Sequence, residues 1–117
     1  MSRLLSLPCL ILALGAAGAT PDYESWTLLT PSFPSTGGNG VTIGEYRPVV
    51  SGSRCTTDFT ATLADGTVYR NHVLFDAVPA AGGVLCTNGH WRSADGSATG
   101  TTPLEVFFKD GVARRSH

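Results

Sequence analysis

The stretch CTTDFTATLADGTVYRNHVLF, Cys55 to Phe75, decides the fold class. Cys55, Thr57, Phe59, Ala61 and Leu63 alternate with Thr56, Asp58, Thr60 and Thr62, which is the two-residue period of a strand with one buried face. Ala64-Asp65-Gly66 breaks that pattern, and Gly66 suits the left-handed last position of a three-residue loop. Such a loop predicts Ala61 opposite Tyr69, Thr57 opposite Val73 and Cys55 opposite Phe75. One face then collects Cys55, Phe59, Ala61, Leu63, Tyr69, Val73 and Phe75. A two-residue Asp-Gly turn would instead set Leu63 against Val68 and Phe59 against His72, mixing polar and apolar side chains on each face. The three-residue loop is the coherent choice.

Working outward, the same x-Asp-Gly punctuation recurs. Lys109-Asp110-Gly111 separates Leu104–Phe108 from Val112–Ser116, and the same loop sets Glu105 across from Arg115. Opposite charges facing each other on a sheet contribute up to about 1 kcal/mol. Ala94-Asp95-Gly96 follows a strand over Val84–Trp91, and Ser97–Thr102 reads as a loose polar connection. Val78–Gly83 is a further turn, and Val41–Val50 is a strand that Pro48 confines to an edge or a bulge. The tripeptides lack the constant spacing of a repeat, and no stretch carries helical periodicity. The expected fold is all-β: a small antiparallel β-sandwich or barrel of six or seven short strands, with one disulfide.

Upstream, Arg3, the apolar run Leu4–Leu14 and the small residues Ala17-Gly18-Ala19 have the order of a secretory signal peptide, 1–19, cut after Ala19. The apolar run falls short of the roughly 20 residues that a membrane span needs. Of 117 residues, cleavage there leaves 98, enough for one domain. Residues 20–40, with Pro21, Pro31, Pro34 and Gly37-Gly38-Asn39-Gly40, read as a flexible Pro/Gly-rich N-terminal arm, and 41–117 as a single β domain. Trp26, Leu28 and Leu29 stand out in that arm, as a docked short strand or as a sticky segment for a partner. Cys9 departs with the leader, so an oxidising compartment leaves Cys55 and Cys86 to pair.

Beyond the leader, seven basic side chains face nine acidic ones, with no basic stripe to neutralise phosphates, so no nucleic acid partner is expected. Arg114-Arg115 is too small a cluster to anchor a membrane, and the remaining chain carries no apolar run long enough to span one. For acid–base chemistry the candidates are His72 and Asp58, which the preferred register brings together on the polar face. For a metal the candidates are Cys86 and His90, with His72 or Asp95 completing the set, but a disulfide removes the thiolate, and neither H-x-H nor H-E-x-x-H is present. No G-x-S-x-G elbow is present, and Gly37–Gly40 is not followed by the Lys-Ser/Thr of a phosphate loop. No catalytic residue, metal or cofactor is therefore assigned. His90-Trp91-Arg92, with Tyr69 or Tyr46 nearby, has the composition of a binding surface, because Trp and Arg dominate interface hot spots and Trp stacks on sugars and rings.

These features lead to the expectation of a non-enzymatic binding or accessory/assembly module in the periplasm or extracellular space, whose partner is another exported protein, a small ligand or a glycan. The competing expectations are a small secreted hydrolase or metal-dependent enzyme using His72/Asp58 or His90, and a structural envelope protein without a specific ligand.

Overall fold

The computed structural model describes residues 21–117, so the leader expected over 1–19 lies outside the described residues. The chain is all-β and antiparallel, curled into a half-barrel. A 3-10 turn, Tyr23–Ser25, precedes ten strands: β1 (Thr27–Leu28), β2 (Phe33–Pro34), β3 (Thr42–Gly44), β4 (Val49–Ser51), β5 (Arg54–Thr62), β6 (Val68–Ala80), β7 (Gly83–Ser93), β8 (Thr99–Thr102), β9 (Val106–Lys109) and β10 (Val112–Arg115). The sheet runs β1-β10-β9-β7-β6-β5-β3-β2, with β4 also on β5 and β8 also on β7.

The strand count exceeds the expected six or seven because both neighbours of the long central strands are broken in two. β3 and β4 lie end to end along β5, separated where Glu45 turns left-handed (φ 55°) and Pro48 removes a donor. The buried Thr57 hydroxyl bridges the break: its Oγ1 accepts the Arg47 N–H at 3.1 Å and donates to the Asp58 carbonyl at 2.8 Å. β8 and β9 divide the far side of β7 in the same way. Ser97–Thr102, expected as a loose connection, therefore holds a strand. Its apolar signal is missing because one of its inward positions is Gly100, which leaves room for the Trp91 ring.

The β5–β6 hairpin has the expected pairs Ala61–Tyr69, Thr57–Val73 and Cys55–Phe75. Leu63 N–H donates to the Thr67 carbonyl, and Gly66 sits at φ 91° in the loop. The β9–β10 hairpin differs. Asp110 (φ 53°) and Gly111 (φ 76°) are both left-handed, which makes a two-residue type I′ turn. Lys109 consequently pairs with Val112, and Arg115 faces Val106 rather than Glu105. The one-residue slip pairs each β9 residue one position further along β10 than expected. Glu105 instead accepts a hydrogen bond from the Thr87 hydroxyl, and its N–H donates to Ser116 Oγ at 2.8 Å.

Cys55 and Cys86 form the expected disulfide. It links β5 to β7, the strands on either side of β6. In a flat sheet two strand spacings separate such positions by about 9.6 Å, yet the two Cα atoms are 6.1 Å apart. The sheet folds sharply here, at a bulge in β7: Leu74 faces His90 but Asp76 faces Thr87, and Asn88 (φ 58°) takes the extra, left-handed position. Phe75, Val73, Val106 and the two half-cystines fill the concave side.

Within the segment read as an arm, β1 pairs with β10 and β2 pairs with β3, so residues 27–34 run from one edge of the curled sheet to the other. Of the two roles weighed for Trp26, Leu28 and Leu29, the structure gives the docked strand. Tyr23 stacks on Phe107 with ring centroids 4.3 Å apart, and Arg114 Nη1 donates to the Trp26 carbonyl at 3.1 Å. Phe33 is buried under the Arg115 guanidinium, 4.5 Å from its ring centroid. Gly37–Gly40 forms the exposed tip between β2 and β3.

Candidate functional site: a concave aromatic cleft

At the end of the half-barrel away from the disulfide, the inner face stays open. β5 and β6 make the floor of a cleft of about 640 Å³, with the β2–β3 hairpin on one side and the β7–β8 hairpin on the other. The strand parity that buries Cys55, Val73 and Phe75 also aims Phe59, Ala61 and Tyr69 into this cleft, and Trp91 joins them from β7 opposite Val73. Tyr69 was expected both on the apolar face of the hairpin and beside the Trp91 binding surface, and it holds both places. It retains 52% of its surface, because no strand closes over it at this end.

The floor is apolar and aromatic, with polar groups arranged around it. Asn71 is buried between Tyr69 and Val73 along the inward face of β6, and its Nδ2 donates to the Tyr69 carbonyl at 3.3 Å. Tyr46 lies against Phe33 and Phe59 in edge contacts at 5.3 and 5.6 Å, and burial pushes its phenol far above the ordinary range. At the rim, Asp95 Oδ1 accepts from Ser93 Oγ, Ser97 Oγ and the Ser97 N–H at 2.6–2.9 Å. Those hydrogen bonds, led by the Ser97 hydroxyl, hold the Asp95 carboxyl down to about 2. The rim therefore carries a fixed negative charge at neutral pH. Arg70, also at the rim, faces Glu45 at 3.7 Å.

The structure divides the four residues read as one binding surface. Trp91 and Tyr69 both line the cleft. His90 and Arg92 alternate with Trp91 along β7 and so point to the convex side, where Arg92 faces His72. Adjacency in sequence misled here, since neighbours on a strand occupy opposite faces. Phe33, Ile43 and Phe59 were missed as cleft residues. The signal available for Phe59 and Ile43 was their parity with Tyr69, because the pairs Ile43–Ala61 and Ala61–Tyr69 put all of them on one face.

His72 and Asp58 do meet, with Nδ1 2.8 Å from Oδ1. The pair lies on the convex face, and the Asp58 side chain is 91% exposed. The pair makes a solvent-exposed cross-strand contact at the edge of a second, open hollow of about 590 Å³ that Glu45, Arg70 and Arg92 also line. Among the described residues no three His, Cys, Asp or Glu side chains converge as a metal site, and Cys86 is committed to the disulfide. No helix of the described residues is long and apolar enough to cross a membrane. No protein-family model matches this chain, and neither the curated proteins nor the solved structures contain a match.

Proposed function

We propose that this protein is a non-enzymatic binding module of the periplasm or extracellular space, and that the concave cleft is where it binds. One observation carries the reading: an aromatic-floored cleft of about 640 Å³ lies open on the concave side of the half-barrel, with Tyr69 half-exposed within it near the start of β6. Ligand sites have this composition, with apolar walls that supply affinity and a few fixed polar groups that orient the ligand. Here Asn71 and the Ser93–Ser97 rim are those groups. Export rests on the leader-like order of residues 1–19 and is tested by sequencing the N-terminus of the protein recovered from the producing cell.

Binding at the cleft is tested with the apolar dye anilinonaphthalene sulfonate on the native protein. The expected result is enhanced, blue-shifted emission that is lost in Ala61→Phe, which fills the floor beneath Tyr69. Tyr69→Ala should weaken dye binding while changing stability by only about 0.5 kcal/mol, as is usual for an exposed position. A native protein that leaves the dye dark, or equal binding by wild type and Ala61→Phe, would overturn the reading.

A further inference from the structure

We infer that the cleft takes an extended peptide segment, which pairs along the free edge of β8 as an added strand and sends alternate apolar side chains into the aromatic floor. This inference rests on the cleft being the binding site and names the chemistry of its occupant.

The free edges of the sheet are not equivalent. β2 carries Pro34, and the distal part of β6, beyond its pairing with β5, carries Pro79; proline offers no donor to an incoming strand. β1 and β4 have only two and three residues. β8 has four, Thr99-Gly100-Thr101-Thr102, with no charge and no proline, and among the described residues it pairs on one side only, with β7. Such an edge is a ready template for strand addition.

The ladder geometry shows which groups are free. Ser93 N–H donates to the Ala98 carbonyl, which sets Ser93 and Ala98 as a hydrogen-bonded pair. In an antiparallel ladder bonded and non-bonded pairs alternate. Gly100 and Thr102 therefore bond toward β7, while the N–H and C=O groups of Thr99 and Thr101 point outward. Both residues are exposed. A strand added at this edge continues the curl across the open mouth of the cleft. Its side chains alternate between solvent and the floor holding Trp91, Phe59 and Tyr69, which is how peptides that add to sheet edges gain specificity.

Charge narrows the occupant further. Asp95 sits in the turn at the start of β8, and no ion pair reaches it among the described residues. Arg70, the basic group at the same rim, is already opposed by Glu45. The peptide thus carries a basic residue at whichever end lies against the Ser93–Ser97 turn.

The test uses a fluorescein-labelled peptide of three Val-Thr repeats with Lys-Lys at both ends, and two versions N-methylated either at every Val or at every Thr. Their binding to the purified protein is followed by anisotropy, alongside the dye assay for the cleft. The expected result is that the parent peptide binds and displaces the dye, one methylated series loses binding, and the other retains it, because successive residues of a strand bond in opposite directions. Thr99→Pro should lower affinity about tenfold by removing one outward donor, with dye binding unchanged. Replacing the four lysines with glutamates should weaken binding severalfold. If both methylated series bind as well as the parent, the peptide is held without a ladder and the inference fails. If the dye enters the cleft but none of the peptides binds, the inference fails and the cleft reading stands. If neither dye nor peptide binds, both fail.

Discussion

At position 100 a single hydrogen decides where an aromatic ring can sit. A Cβ placed on Gly100 would lie 2.8 Å from three atoms of the Trp91 indole, so any larger residue drives the ring off β8 and into the cleft. Gly100→Ala is expected to cost about 1–3 kcal/mol, the range for overpacking. Its urea midpoint should fall, and its tryptophan emission should shift relative to wild type. An unchanged midpoint would show that the indole is not held against this glycine. Trp91 and Tyr69 could be singled out in the sequence because large aromatics in a short β chain are few. Placing them was harder. Tyr69 has the parity of the core, and only the absence of a covering strand leaves it exposed, which is a tertiary property that no local pattern carries. His90 and Arg92 show the converse, since their residue types suggested a shared surface with Trp91 while strand alternation sends them to the other side.

Elements built on the same tripeptide behave differently according to how far the flanking ladder extends. The Ala64–Gly66 loop was legible because Gly66 alone needs the left-handed region and the resulting register gives one apolar face. Around Asp110-Gly111 both residues are left-handed and Lys109 stays in the ladder, so the loop shortens by a residue. Asp tolerates that conformation, and a tripeptide pattern does not separate the two turns. Two-residue strands such as β1 and β2 were beyond reach for a similar reason, because two residues carry no period. The β7–β8 turn, in contrast, makes a sharp prediction with pH. Its hydroxyl and N–H donors lower the Asp95 carboxyl from the ordinary 3.8 to about 2, so the carboxylate form is favoured in the folded state. A depressed folded value means the contribution is complete above about 3.8 and is lost as the pH falls through about 2. The stability gap between wild type and Asp95→Ala should therefore close as acid is added across that window, read by denaturant melts at stepped pH. A gap that stays constant would mean these hydrogen bonds do not discriminate the ionised form.

Across the whole molecule, curvature is the property that makes a cleft out of a sheet, and the Cys55–Cys86 bridge sits where the curvature is tightest. Closing a loop of sequence separation 31 stabilises the fold by about 3–4 kcal/mol on the chain-entropy account. The double replacement Cys55→Ala, Cys86→Ala should lower stability by that order. It should also weaken dye binding at the cleft, since β5 and β7 are then free to relax toward ordinary strand spacing. A double variant that matches wild type in both readouts would assign the curl to the β7 bulge alone.

The strap formed by residues 27–34 has a consequence for the order of events during folding. Thr27 pairs with Arg115 and Phe33 with Ile43, so one short segment waits for a partner almost at the far end of the chain as well as for one close by. Contacts of such long sequence separation form slowly. While the chain is being made, the central hairpin can pair as soon as it emerges, but the half-barrel stays unlatched until β10 appears. Until then β1 has no partner and the outer edge of β9 stands uncovered. The interval between synthesis of β6 and arrival of β10 is when this chain is most exposed to wrong pairing, and when an assisting factor has most to gain by holding it.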